Sequence, residues 1–130
     1  MPSRLAHRIA TCVAVLGGVF CILAGVNAFR DPAHALSVFH FDLPSPTLSP
    51  SDHQLVVSLL RVYGARDIFM GVVTFATAYY GSRKALGWVM LSGAAVAAVD
   101  GAVCWRANGG EWTHWGFVPV LGSAGAVLMS

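Results

Sequence analysis

The stretch Leu55–Tyr80, LVVSLLRVYGARDIFMGVVTFATAYY, is long enough to cross a bilayer and carries three charged side chains inside it. These are Arg61, Arg66 and Asp67. A charge at the centre of a membrane helix costs about 3 kcal/mol by insertion scales, so such charges are usually paired or face a polar cavity. The sequence therefore predicts that further helices surround this one and supply partners for its charges.

The composition of the whole chain indicates a lipid environment. Its 130 residues are 56% hydrophobic and 11% charged, whereas soluble domains are about 25% charged. A small soluble domain exposes more surface per residue and should be more polar than average. The length gives room for a single domain, 1–130. The net charge of +2 without a basic run argues against a nucleic-acid partner.

The hydropathy pattern predicts an all-α fold, a four-helix transmembrane bundle. The predicted helices cover residues 9–29, 53–80, 85–105 and 112–129. The first of them contains no charged residue and reaches the roughly 20 residues that a span requires. A cleaved signal peptide is the alternative for this segment, because Val26 and Ala28 are small enough to precede a cleavage site. A kink is expected at Pro119 in the fourth helix.

The connection between the first two helices is the longest of the chain. Asp31 and Pro32 have the residue types of a helix start, which predicts a short helix at the membrane interface. The run LPSPTLSPS over residues 43–51 then requires an extended loop, either an ordinary surface loop or a lid. Ser51 or Asp52 is expected to cap the second long helix.

Loop charges predict the orientation in the membrane. With four spans, one side of the bilayer carries Arg4, Arg8, Arg83 and Lys84, and the flanks on the other side carry Arg30 and Arg106. The positive-inside rule then gives an integral, multi-pass protein with both termini in the cytoplasm. The lipid bilayer is its first expected partner. A single four-helix unit is small for a transporter, so transport would require a homo-oligomer.

This topology places the buried polar residues in one leaflet. Arg66 and Asp67 lie near the middle of the second helix, and Asp100 lies near the outer end of the third. We therefore expect Arg66 to pair with Asp100, and Arg61 to pair with Glu111 closer to water. Buried ion pairs often fix helix packing instead of doing chemistry, and both roles remain open from the sequence.

His114 follows Glu111 at the i, i+3 spacing used by ligands in di-iron four-helix bundles. That fold needs a second such pair and further glutamates, and this chain has one glutamate. The sequence therefore predicts neither a metal nor another cofactor. A histidine beside carboxylates can exchange a proton near neutral pH. The alternative is an interfacial histidine that is hydrogen-bonded to a neighbour.

Four short motifs carry a resemblance to a known family. They are RVYGARD at 61–67, ALGWVMLSGA at 85–94, VDG at 99–101 and WTHWG at 112–116. Together they resemble a family of small four-helix membrane proteins known only as a domain of unknown function. Its members occur in bacteria and fungi, some of them among fungal genes for natural-product (secondary-metabolite) biosynthesis. The resemblance implies a four-helix topology and marks Arg66, Asp67, Asp100 and His114 as motif positions, without implying an activity.

These features predict a polar pocket in the outer leaflet that takes a lipophilic small molecule from the bilayer. The leading hypothesis is an enzyme of the isomerase, cyclase or lyase type, which cyclises, isomerises or dehydrates that molecule by acid–base chemistry. Its candidate catalytic residues are His114, Asp100 and Asp67. Its candidate substrate-binding residues are Arg66, Arg61, Tyr63, Asn27, Glu111 and Trp112. The alternatives are a non-catalytic carrier of the same molecule and a structural membrane subunit.

Overall fold

The computed structural model describes residues 3–107 and 109–130, and these residues form helices joined by short connections, without a strand. The helices are α1 Arg4–Arg30, α2 Pro32–Ser37, α3 Pro50–Tyr80, α4 Arg83–Ala107, α5 Trp112–Trp115 and α6 Phe117–Met129. The all-α class is confirmed. The three longest helices correspond to the first three that were predicted; each begins two to five residues earlier than predicted, and α3 ends at Tyr80 as predicted.

Two of the described helices, α1 and α4, are long and apolar enough to cross a membrane. Only 22% of the apolar window of α1 and 28% of that of α4 is buried inside the protein. The core helix of a soluble protein would be mostly buried, so these exposed apolar faces favour contact with lipid. α3 has 31 residues but does not meet the same criterion, since Arg61, Arg66 and Asp67 lower its mean hydropathy.

α1 and α3 form one of the two most extensive helix interfaces, and glycines on both helices make it close. A Cβ atom added at Gly25 would lie 2.5 Å from the carbonyl oxygen of Gly64. One added at Gly71 would lie 2.6 Å from the carbonyl oxygen of Gly18. Both pairs of glycines are seven residues apart on their own helices, so they lie on one face of each helix. Small residues of this kind let membrane helices approach backbone to backbone.

α4 and α6 form the other extensive interface, and it is built in the same way. A Cβ atom at Gly87 would lie 2.9 Å from the carbonyl oxygen of Gly125, and the converse distance is also 2.9 Å. The direct interface between α3 and α4 is much smaller. The bundle is therefore two close helix pairs that follow each other along the chain, and α1 also contacts α6.

The hydrophobic core lies at one end of the bundle, where α1 begins, α4 begins and α6 ends. It contains six buried residues: Ala10, Ala14, Leu86, Met90, Ala124 and Leu128. Asp100 lies on the part of α4 nearer the opposite end, and Arg66 lies at the middle of α3. The ionic residues therefore lie outside the hydrophobic core, between the middle of α3 and the far part of α4.

Two helix ends differ from the sequence predictions. α3 begins at Pro50 with Ser49 as its N-cap, so the expected caps at Ser51 and Asp52 are wrong. Pro50 suits the first helical position because its missing N–H would have no intrahelical partner there. The Asp31 cap of α2 is confirmed, since its carboxylate accepts a hydrogen bond from the backbone N–H of His34 at 3.0 Å.

The predicted fourth helix, residues 112–129, is two helices, α5 and α6, separated at Gly116. The break therefore comes three residues before Pro119, where the kink was expected. Pro119 lies in the first turn of α6, where backbone N–H groups have no intrahelical acceptor and proline costs little. At 1.5 Å per residue, the 13 residues of α6 make a helix shorter than the roughly 30 Å of bilayer hydrocarbon.

Candidate functional site

Arg66 is the centre of an ionic cluster that joins α3 to α4. Its guanidinium donates one hydrogen bond from Nη1 to Asp100 Oδ1 at 3.3 Å and another from Nη2 to Asp100 Oδ2 at 3.1 Å. It also donates Nε and Nη2 to Asp67 Oδ1, at 3.2 and 3.1 Å. The predicted pair between Arg66 and Asp100 is confirmed, and its two-point geometry is the strong form of an arginine–carboxylate contact.

The contact between Arg66 and Asp67 was not expected. Neighbouring residues on a helix point about 100° apart, which suggested separate partners for the two side chains. The long arginine side chain instead turns back, so that one guanidinium serves both carboxylates. Arg66, a predicted substrate-binding residue, therefore directs four of its five N–H groups to these two carboxylates.

Packing explains why Asp67 is only 6% exposed. Gly64 and Gly71 lie one turn on either side of it along α3, and at both the backbone of α1 comes close. Tyr63, one turn before Asp67 on the same face, places its ring 4.3 Å from the Arg66 guanidinium carbon. The carboxylate thus lies in a narrow space between α1 and the charged and aromatic side chains of α3.

His114 belongs to a second group of side chains beside the cluster. It is buried, its Nδ1 lies 3.6 Å from the Cys104 thiol, and its ring stacks on Phe39 at 4.6 Å. Phe39 also makes an edge-to-face contact with Tyr63 at 5.2 Å. Phe39 therefore links His114, through Tyr63, to the ionic cluster.

Four predicted site residues lie outside these two groups. The pair expected between Arg61 and Glu111 is wrong: Arg61 is exposed, and within the described ranges the salt bridges are those of Arg66. Asn27 is hydrogen-bonded to His34, with 2.9 Å between the Asn27 Nδ2 and the imidazole Nδ1. Trp112 is 73% exposed and packs against Trp115.

An apolar cavity of about 360 Å³ lies between the segment that follows α2 and the first turns of α3. Leu36, Phe39 and Phe41 contribute to one wall, and Val56, Leu60 and Tyr63 contribute to the other. Asp42 completes the lining as its one ionised side chain. Since Tyr63 also contacts Arg66, the cavity and the ionic cluster share one residue.

Sequence reasoning missed Phe39, Cys104 and Trp115. Phe39 precedes a loop rich in proline and serine, and helical periodicity gives no information about such a segment. Trp115 packs its indole on Gly101 and donates a hydrogen bond to the carbonyl oxygen of Ala98 at 3.1 Å. The small residue at position 101 was the available signal, because it leaves room for a large ring on the facing helix.

Metal-binding side chains do not cluster in the part of the chain that the structure describes: three or more of His, Cys, Asp and Glu are not found together. Residues 18–128, which contain the cluster, the cavity and His114, match the profile of a domain of unknown function, DUF4267. The chain belongs to the DUF4267 family. Curated proteins and solved structures gave no match. The function of this DUF4267 protein is therefore inferred from its own geometry.

Proposed function

We propose that this DUF4267 protein is a multi-pass membrane protein that binds a lipophilic small molecule and acts on it by proton transfer. The observation that carries the proposal is the shared position of Tyr63, which lines the apolar cavity and contacts Arg66. An apolar molecule in the cavity would bring its inner end to a hydroxyl group beside the Asp67 and Asp100 carboxylates. A positioned acid or base of this kind contributes about 10²–10⁴-fold to a rate.

Membrane insertion is the first part of the proposal. Large apolar side chains are exposed along α1 and α3, for example Leu16, Leu23, Val62 and Phe69, and an apolar surface of this extent is unusual in a soluble monomer. Exposed aromatic residues mark both ends of the bundle: Tyr79, Tyr80 and Trp88 at one end, Trp105 and Trp112 at the other. Aromatic belts of this kind lie at the two membrane–water interfaces. The proposed arrangement is four spans, α1, α3, α4 and α5 with α6, with both termini in the cytoplasm.

The topology predicts opposite labelling of Ser51→Cys and Ser82→Cys, two exposed positions at the two ends of α3. In intact cells, a membrane-impermeant maleimide should modify Cys at position 51 and should reach position 82 only after the cells are opened. The wild-type chain measures the background from its three native cysteines. Equal labelling of both variants in intact cells would contradict the topology.

Ligand binding can be tested by filling the cavity. Val56 lines it, and Val56→Trp should occupy much of its volume. Val62→Trp is the matched control, because Val62 is exposed on the same helix and lies outside the cavity lining. Native mass spectrometry of the purified protein should show a co-purified lipophilic mass with wild type and Val62→Trp and lose it with Val56→Trp. Absence of any bound mass from the wild type would contradict the proposal.

Proton transfer is tested by Tyr63→Phe, which keeps the ring and removes the hydroxyl group. The variant should retain the bound mass, while conversion of that compound, followed by liquid chromatography and mass spectrometry, should fall by about 10²-fold or more. His114→Gln tests the histidine in the same assay, since Phe39 connects it to Tyr63. If both variants convert the compound at the wild-type rate, proton transfer at these residues is ruled out.

A carrier without chemistry is the second candidate, and one observation favours it. The cavity is lined almost entirely by carbon, and the Asp67 carboxylate is occupied by Arg66. A carrier would bind the molecule and release it chemically unchanged. The same measurement of conversion therefore separates the two candidates.

A further inference from the structure

The lining of the apolar cavity indicates the charge of the molecule it takes, and this inference rests on the proposed function. Among the described lining residues there is no lysine, arginine or histidine, and the one ionised side chain is Asp42. Asp42 is exposed, and no described residue forms an ion pair or side-chain hydrogen bond with its carboxylate. A cationic group entering the cavity would therefore find an unpaired carboxylate.

Aromatic side chains provide a second attraction for a cation. Phe39, Phe41 and Tyr63 all line the cavity, and the face of an aromatic ring attracts an ammonium group within about 6 Å of its centre. Tyr63 already makes such a contact with the Arg66 guanidinium on the cluster side. Aromatic lining together with a carboxylate is the combination that recognises amines.

The ionic cluster behind Tyr63 does not offset this preference. Arg66 is its one cation, and it is shared between two carboxylates, Asp67 and Asp100. A carboxylate or phosphate ligand would thus meet Asp42 at one side of the cavity and a cluster with more acidic than basic groups at the other. Like charges brought together in this way repel, and the ligand anion would lose its water without gaining a partner.

We propose that the cavity binds a small lipophilic amine, whose ammonium group pairs with Asp42 and whose apolar body packs among the aromatic side chains. The volume of about 360 Å³ is near the lower end of the 300–1,000 Å³ typical of ligand pockets. A membrane lipid with two acyl chains is larger than this space. The headgroup of such a lipid could enter with its acyl chains outside, so the competition experiment below separates a free amine from a lipid headgroup.

Three probes of nearly equal shape test the charge preference: 2-naphthylmethylamine, 2-naphthylmethanol and 2-naphthoic acid. Their dissociation constants are measured by calorimetry on the full chain in phosphatidylcholine nanodiscs, with empty nanodiscs as the blank. The amine should bind about five-fold or more tightly than the alcohol, since one exposed ion pair and one ring contact each contribute modestly. The acid should bind most weakly. Tightest binding by the acid or the alcohol would overturn the proposal.

Asp42→Asn should reduce the preference for the amine over the alcohol while leaving the affinity for the alcohol unchanged. Asp52→Asn is the matched control, because Asp52 is an exposed carboxylate in the first turn of α3, outside the cavity lining. An amine preference that survives Asp42→Asn would refute the role of Asp42. If phosphatidylethanolamine in the nanodisc competes with the amine, the assignment to a free amine is wrong.

Failure of this inference is distinguishable from failure of the proposed function. If the protein shows no preference for the amine but Val56→Trp still abolishes binding of a co-purified molecule, the cavity binds a molecule of another class. If none of the three probes binds, the amine assignment falls. The co-purification result then decides whether the cavity is a binding site at all.

Discussion

Arg66→Gln should lower the free energy of unfolding by about 2–3 kcal/mol, below the roughly 3–5 kcal/mol for breaking a fully buried ion pair, because the Arg66 side chain is 35% exposed and solvent screens part of the interaction. The arginine satisfies two carboxylates, so its loss leaves both Asp67 and Asp100 without a counter-charge. Asp100→Asn should cost less, because Arg66 keeps Asp67 and the new amide can still accept a hydrogen bond. The free energy of unfolding is measured in mixed micelles as the fraction of denaturing detergent is increased.

The double variant Arg66→Gln with Asp100→Asn should cost less than the sum of the two single changes, because residues in one network couple. Asp52→Asn, at the exposed start of α3, serves as the control and should have little effect. Strictly additive losses would mean that the Arg66–Asp100 contact contributes nothing to stability.

Gly25→Ala should destabilise the protein by about 1–3 kcal/mol, the usual cost of adding atoms to a close-packed interior. The new Cβ atom would lie 2.5 Å from the Gly64 carbonyl oxygen and 2.9 Å from the Ile68 backbone nitrogen. Both are backbone atoms that cannot rotate away, so α1 and α3 must separate. Thermal unfolding in detergent should show a lower midpoint.

Gly17→Ala is the matched control on the same helix. The nearest atom that its Cβ would meet is Leu121 Cδ2, at 3.9 Å. Alanine there should stabilise by up to about 1 kcal/mol, because it has the better helix propensity. If the two variants have the same effect, the close approach of α1 to α3 is not a determinant of stability.

The sequence predicted the long helices and the Arg66–Asp100 pair for the same physical reason. An apolar stretch with an internal charge needs a partner from another helix, and Asp100 was the nearest carboxylate in depth. These predictions depended on composition and on distance along a helix, which sequence reasoning treats well.

The rest of the site depended on side-chain conformation, which the sequence does not provide. Arg66 reaches Asp67 because its flexible side chain turns back along its own helix, whereas helical geometry alone suggested divergent directions. Phe39 was unpredictable because an irregular segment has no periodicity to indicate its inward face. The break at Gly116 was missed because Pro119 is the stronger helix breaker, although the first turn tolerates it.

The contact between Arg66 and Asp67 has a consequence for biosynthesis. These two residues are adjacent, so their hydrogen bonds form within a single turn as soon as that part of α3 is helical. Asp100, in contrast, leaves the ribosome 33 residues after Asp67. In the proposed membrane topology, the nascent α3 can thus neutralise its own arginine before α4 is made, which would lower the free-energy cost of transferring α3 into lipid. Once Asp100 has been synthesised, its carboxylate pairs with Arg66 and joins α4 to α3.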